Sequence, residues 1–507
     1  MNLAHYLENS ARLYPDKPAL RFEGQQVTFQ ELDIACNRLA HGLCELGLAP
    51  GDLGLVMMPN SIHQITVYYA LVKIGAIVVP VNFLFRKYEL EHIIRDSKPK
   101  AFFGAEPYLA EISRILSKGD APPLRIALGV KRDHTFMDLE NVYSNKSDFS
   151  TYPAHDNDTV NLLYTSGTTG VPKGVMLTHR NLARNAKILA EMRGQLDPKM
   201  VVIGVLPLYH IYGITSVLNV SMYLGLTVEL FSQFEPEKVI EVLEAEEQTI
   251  FFGVPTMLNR LVQLASENPP KRASLRFCIS GGASLPVELL HRFEALFKTE
   301  IHEGYGLTEA SVCVENPYGR ATKPGSIGLP IPEFSARIVD SMGNDVRQGE
   351  VGELLIRGPA VTKGYWNRPE ETRETIKDGW LYTGDLARAD EDHYIYIVDR
   401  KKELVIRGGY NVYPREIEEV FYQIPDVLEA TVFGIPHEDL GEEVAAVVFL
   451  KEGSTMDTKA IQGYVKERVA PYKYPRIIKV TKEPLPKTGS GKILKKEVKK
   501  QYSSLLS

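Results

Sequence analysis

Tryptophan and cysteine are scarce in this chain, two and four among 507 residues. Cys36, Cys44, Cys278 and Cys313 form no Cys-x-x-Cys pair and have no metal-ligand spacing, which argues against a zinc ribbon or a disulfide-stapled scaffold. Buried free thiols in a reducing cytoplasm suit them better. A strong excess of one charge is missing too. The formal net charge is −6, which gives no reason to expect nucleic acid as a partner. Long apolar runs are broken: Ile65 to Phe85 by Lys73, Gly75, Pro80 and Asn82, and Val201 to Phe231 by Pro207, His210, Asn219 and Gly225. Each reads as a buried helix and strand with a turn between them, not as a membrane span. Met1 to Leu7 has neither the basic nor the apolar region of a signal peptide. The expectation is a cytoplasmic protein without an integral membrane segment.

What is present is a globular composition, 44% hydrophobic and 24% charged, in a chain too long for one core. From Leu53 onward, short apolar runs alternate with helical patterns: Leu53 to Met58, Ile62 to Lys73, Ile77 to Val81, Lys87 to Ser97, Ala101 to Phe103. A second round follows from His179 to Gly253, with a helix expected over Ile214 to Leu224. Strand–helix–strand alternation of this length implies parallel sheets covered on both faces. Residues 118 to 158, rich in Asp, Asn, Ser and Pro, read as surface chain. From Pro324 to Asp399 glycines are frequent and strands short, which fits an all-β subdomain. Beyond Asp399 to Glu403 comes a small α+β unit of about a hundred residues.

Between the two rounds of alternation stands Tyr164-Thr165-Ser166-Gly167-Thr168-Thr169-Gly170-Val171-Pro172-Lys173-Gly174. Glycines let backbone N–H groups approach a ligand, hydroxyls add donors, and Lys173 adds a mobile cation that can follow a polyphosphate. No Gly-Lys-Ser/Thr triplet is present, so this is not a Walker A loop. An ordinary Gly/Ser/Thr surface loop explains the composition but not a lysine set between Pro172 and Gly174.

This stretch resembles the signature loop of the adenylate-forming superfamily, which includes acyl-CoA synthetases, 4-coumarate-CoA ligases, firefly luciferase and the adenylation domains of peptide synthetases. The resemblance implies a fold as well: a large N-terminal domain, residues 1–399, of two α/β subdomains and a β-barrel-like subdomain. A small mobile α+β C-terminal domain, residues 400–507, would turn about a hinge near Lys402. By the same resemblance Thr165, Ser166, Gly167, Thr168, Thr169 and Gly170, with Lys173, hold the phosphates of ATP. Further motifs extend the likeness. Gly304-Tyr305-Gly306-Leu307-Thr308-Glu309 would set Tyr305 against adenine, Thr308 on the α-phosphate and Glu309 on Mg²⁺, with Glu303 beside them. Gly281, Gly282 and Ala283 would pass behind adenine and border the acyl pocket. Asp385, in Tyr382-Thr383-Gly384-Asp385, and Arg400 would take the ribose hydroxyls.

Three more segments complete the expected site. Lys492, ending the small-residue loop Pro486 to Gly491, matches the lysine that bridges carboxylate and α-phosphate during adenylation. Gly408 and Gly409 match the segment that lines the pantetheine tunnel. His210, Tyr212 and Ser216, with Gly328, would shape the acid pocket. No Asp or Glu lies between Leu206 and Ser216, which argues against an amino-acid substrate, whose buried ammonium needs a partner.

The implied activity is an acid–CoA ligase using ATP, Mg²⁺ and CoA. A medium- or long-chain fatty acid is slightly favoured, because Lys323 to Gly328 resembles bacterial fatty-acid ligases; His210-Ile211-Tyr212 resembles coumarate ligases and keeps an aromatic acid as the alternative. An adenylase that loads a carrier protein, and a catalytically silent nucleotide-binding relative, are the other readings. The expected partners are a small carboxylic acid, ATP and CoA, with a homodimer left open.

Overall fold

The computed structural model describes residues 1–106, 108–116, 122–130, 135–165, 172–194, 196–272, 274–489 and 491–506. Its centre is two large sheets. The first has seven strands in the order Met137–Asp138, Leu124–Leu128, Ala101–Ala105, Leu53–Met57, Ile77–Pro80, Thr159–Thr165 and Lys173–Thr178. All neighbours run parallel except the last pair, where Thr165 faces Lys173 in an antiparallel hairpin. Side chains alternate by face, as the period of a strand requires. Leu55 and Met57 join one apolar cluster with Leu90, Ile93 and Phe102, while Val56 and Val78 join another.

The second sheet has nine strands, with Ile301–Leu307, Leu275–Ser280, Thr249–Gly253, Val201–Gly204 and Thr227–Leu230 parallel at its centre. The N-terminal hairpin, Pro18–Phe22 and Gln25–Thr28, closes one edge, and Ser311–Glu315 with Leu329–Pro330 closes the other. The helices His5–Leu13, Phe29–Glu45, Ile62–Ile74 and His179–Met192 lie in the same apolar cluster as both sheets, so one core binds the two halves. A five-stranded antiparallel sheet follows, built on Ser335–Val339, Gly352–Arg357, Trp380–Ala389 and Ile395–Arg400. The C-terminal unit has its own five-stranded sheet, around Val427–His437 and Gly441–Leu450, with a core on each face.

Three expectations need correction, the first being that the cysteines are all buried: Cys44 is exposed, while Cys36, Cys278 and Cys313 are buried. Part of 118–158 is not surface chain: Leu124–Leu128 pairs in parallel with Ala101–Ala105, burying Ile126 and Ala127. Its strand pattern is short and flanked by polar residues, which hid it. The helix expected over Ile214 to Leu224 is a π-helix from Gly213 to Asn219 before it becomes an α-helix at Val220–Leu224. All seven π-helical residues are buried, and Ser216 Oγ and Asn219 Nδ2 have no hydrogen-bond partner among the described residues. Such widened turns recur at functional sites.

One buried ion pair ties these layers together. Arg193, just past the helix His179–Met192, donates from Nε and Nη2 to Glu315 at 3.1 and 2.8 Å, and both side chains are 1% exposed. Tyr318 donates to the same carboxylate at 2.8 Å, and the guanidinium lies 5.1 Å from the centre of the Phe252 ring. Removing one partner leaves a charge without compensation in an apolar interior. Arg193→Met should therefore destabilise the protein by about 3–5 kcal/mol. The double variant Arg193→Met/Glu315→Met should recover most of that loss, as read from urea denaturation midpoints.

Candidate active site

The C-terminal ends of Thr159–Thr165 and Ile301–Leu307, one strand from each large sheet, are linked through Lys173, Tyr365 and Glu309, at the end of the strands where open α/β sheets form their ligand cleft. Ile301–Leu307 carries Gly304, Tyr305 and Gly306 and pairs antiparallel with Ser311–Glu315, with an irregularity between Tyr305 and Gly306. A Cβ at Gly306 would stand 2.2 Å from Ser311 O, so only glycine fits there. Gly328 is fixed by a similar constraint: its φ is +93°, and a Cβ would lie 2.2 Å from the Glu315 carbonyl carbon and oxygen.

Tyr305 donates its hydroxyl to Asp385 Oδ2 at 2.5 Å, and Arg400 Nε stands 3.2 Å from Asp385 Oδ1. Both carboxylate oxygens are thus engaged, on a residue only 6% exposed. Burial raises the Asp385 pKa, while Arg400, Tyr305 and Lys492 pull it down. Burial also pushes the Tyr305 hydroxyl well above its ordinary value, reinforced by Asp385. Glu309 lies beyond the strand. Its Oε1 accepts from Tyr365 at 2.9 Å, and burial raises its pKa against that hydrogen bond. Thr308, next to it, sits half-buried in a turn.

Lys173, the first residue of the strand Lys173–Thr178, has its ammonium 5.2 Å from the centre of the same Tyr365 ring. Thr165 is its cross-strand partner. Ser166, Gly167, Thr168, Thr169 and Gly170 lie outside the described residues. Tyr365 itself has no signal in the sequence, because its partners are remote in the chain. It is held by Thr372 Oγ1, which accepts from its N–H at 3.0 Å, and the next residue, Trp366, donates to Gly174 O at 2.7 Å.

From the C-terminal unit comes Lys492. Its Cε lies 3.3 Å from where a Gly282 Cβ would be, and Thr256 Oγ1 donates to the neighbouring Gly491 O at 3.1 Å. Both ends of its segment are clamped. Lys487 pairs with Glu429 at 2.6 Å, and Lys495 pairs with Glu418 at 2.9 Å and Glu403 at 3.2 Å. Burial and, next, the Arg400 charge lower the Lys492 pKa to about 8, with Asp385 opposing both. His210 is lowered to about 3 by burial and then by Lys492, so it is neutral at physiological pH.

Beside Gly281, Tyr212 donates to Ile279 O at 3.0 Å and meets Phe252 edge-on with ring centres 6.3 Å apart. A Cβ on Gly281 would stand 3.2 Å from the Tyr212 ring. Ser216 lies buried in the π-helix, while Ala283 is exposed. Glu303 is turned away from this group; its Oε1 accepts from Leu285 N–H at 3.3 Å. Gly408 and Gly409 are not brought here. They form the exposed turn between Val405–Arg407 and Tyr410–Val412, where a Cβ on Gly409 would meet nothing within 4 Å. Lys402 is exposed on the chain that joins the two units. Among the described residues no three His, Cys, Asp or Glu side chains converge as a metal cluster, and no helix is long and apolar enough to cross a membrane.

Carboxylates, cations and an aromatic arranged in this way define a class, the enzymes that bind ATP and activate a carboxylic acid with it. Comparison with known proteins agrees. Residues 7–366 match the AMP-binding enzyme model and residues 416–492 the AMP-binding enzyme C-terminal domain. The chain is 37% identical to a long-chain-fatty-acid–CoA ligase of Bacillus subtilis (strain 168), over 98% of this chain and 94% of that protein. It is equally 37% identical to a feruloyl-CoA synthase of Amycolatopsis sp, over 97% of each. Among solved structures, ATP-bound MatB from Rhodopseudomonas palustris superposes with a TM-score of 0.90 at 32% identity, covering 100% of both chains. The anthranilate CoA ligase AuaEII in complex with anthranoyl-AMP does so with a TM-score of 0.92 at 27% identity, over 100% of this chain and 98% of that one. The chain belongs to the AMP-binding enzyme family.

The lysine pKa has a measurable consequence. A cation whose pKa is lowered is lost as pH rises through that value, so an anion set against Lys492 would be held more weakly above about pH 8. The kcat/KM for ATP in acid-dependent pyrophosphate exchange, which reports the free enzyme, should fall above that pH. In Lys492→Arg, whose guanidinium stays charged, any residual activity should show no such fall.

Proposed function

We propose that this protein is an AMP-forming acid–CoA ligase working in two steps. A carboxylate attacks the α-phosphorus of ATP to give acyl-AMP and pyrophosphate, and the CoA thiol then attacks the acyl carbon and expels AMP. The observation that carries the reading is the placement of Lys492, delivered by a separate unit beside Asp385, Arg400 and His210.

The reacting carboxylate and the triphosphate repel each other, so adenylation depends on fixed cations and donors aimed at the charge that develops. Lys492 would bridge carboxylate and α-phosphate. Lys173 would follow the outer phosphates, and Asp385 with Arg400 would take the ribose, the Tyr305–Asp385 hydrogen bond exchanging for one from a ribose hydroxyl. Neutral His210 and the ring of Tyr212 would border the acid without adding charge. A single carboxylate with space for substrate phosphates suits Mg²⁺, and Glu309 would hold it; the bound ion would neutralise phosphate charge. Gly408 and Gly409, exposed in this arrangement, would line the CoA thiol path only after residues 400–507 turn about Lys402 relative to 1–399. The unpaired cysteines suit a reducing, cytoplasmic setting.

For the acid, a medium- or long-chain fatty acid is the first reading, supported by the fatty-acid ligase that matches nearly the full chain. An aromatic acid is the second, favoured by the feruloyl-CoA synthase match and by the Tyr212–Phe252 wall. Pyrophosphate release across acids from acetate through palmitate, benzoate and coumarate, with and without CoA, tests both. Turnover that needs CoA and peaks on one acid class is expected. AMP release indifferent to CoA would instead indicate an adenylase loading a carrier protein. In Lys492→Ala, adenylate formation should fall by about 10²-fold or more, while thioester formation from supplied acyl-adenylate stays near the parent rate.

A further inference from the structure

Away from Lys492, the two units meet through a second compact set of charges. Glu303, two residues before Tyr305, is 2% exposed, and its Oε2 has no hydrogen-bond partner among the described residues. Burial raises its pKa to about 7, opposed chiefly by the charge of Arg415. Arg415 belongs to the helix Pro414–Tyr422 of the C-terminal unit, where its N–H donates to Asp399 Oδ2 at 3.1 Å and its Nη1 to Ile397 O at 2.5 Å. One turn further on, Glu419 Oε2 accepts from Val287 N–H at 3.4 Å. Val287 opens the helix Val287–Phe297, whose preceding residue, Pro286, offers no side-chain cap. A carboxylate of the C-terminal unit therefore fills the capping position of a helix in the N-terminal unit, where backbone N–H groups and the helix dipole favour an anion. The charge of Arg415 works against the burial of both carboxylates, lowering what burial raises.

None of these three side chains is among the partners of Lys492, yet all lie where the units touch. We propose that Arg415 and Glu419 are positioning residues for acyl-adenylate formation. The Glu419 hydrogen bond at the N-terminus of helix Val287–Phe297 and the Arg415 hydrogen bonds to Asp399 and Ile397, with the Arg415 charge set against buried Glu303, hold the C-terminal unit in the arrangement that places Lys492 in the cleft. The contacts are specific to that arrangement, so they must break before the unit turns for the CoA step. This inference rests on the two-step ligase reading.

The test separates the half-reactions in Glu419→Gln and Arg415→Met. Acid-dependent pyrophosphate exchange reads the first step, and thioester formation from supplied acyl-adenylate reads the second. In each variant the first step should fall by about tenfold, with the second unchanged or faster, because only the population of the adenylating arrangement shifts. Trypsin cleavage at Lys401–Lys402, with ATP and acid bound, should quicken in parallel. Equal loss in both steps, or an undisturbed first step, would overturn the proposal. So would loss of folding in the near-isosteric Glu419→Gln, which would make the contact structural. Parent enzyme silent in both half-reactions would instead overturn the ligase reading, and this inference with it.

Discussion

A lysine has to keep its charge in a place that is costly for charge. Lys492 works, on the reading above, only as a cation, yet the cleft that gives it leverage over a phosphate is one where water is scarce. Burial and the neighbouring Arg400 both push it towards neutrality, and Asp385 is the counterweight. That single carboxylate is shared among Tyr305, Arg400 and Lys492, and each of the three comes from a different part of the chain. Much of the architecture can be read as the means of holding those parts in register.

The parallel sheets supply the rigid side of that arrangement. Tyr305 sits at the end of a strand whose neighbours are locked by apolar side chains on both faces, and the buried Arg193–Glu315 pair fixes the strand beside it. The C-terminal unit supplies the other side and has its own core, which the proposed rotation between the two steps requires. Its lysine loop is held at both ends by ion pairs within that unit, so Lys492 is carried as part of a body and not on a loose tail.

The alternation of short apolar runs and helical patterns was legible because each element satisfies its own period, as in Leu53–Met57 and Lys87–Ser97. The glycine motif at Gly304 was legible because close backbone approach restricts the residue type; Gly306 against Ser311 shows that constraint directly. Leu124–Leu128 was not legible, since a five-residue strand among prolines and acids looks like coil until its partner is known. Tyr365 was hidden for a related reason: nothing local marks a tyrosine whose hydroxyl serves a glutamate on another element. Arg415 and Glu419 sit in a charged helix that reads as solvated from sequence, and only the second unit makes their burial apparent. Side chains whose partners are distant carry no pattern of their own.

The edge hairpin at Pro18–Phe22 bears on how the chain comes to be assembled. Leu20 pairs in parallel with Val228, so this strand belongs beside one made some two hundred residues after it. At ordinary synthesis rates that is a wait of roughly ten to forty seconds with an unpaired, partly apolar edge exposed. In the seven-stranded sheet the longest such gap is shorter, Val78 beside Asn161, and its last strand ends at Thr178. It can close early, while the nine-stranded sheet must recover its N-terminal strand across an already folded neighbour. Sequence order and spatial order are furthest apart at this strand, which leaves its edge waiting longest for a partner.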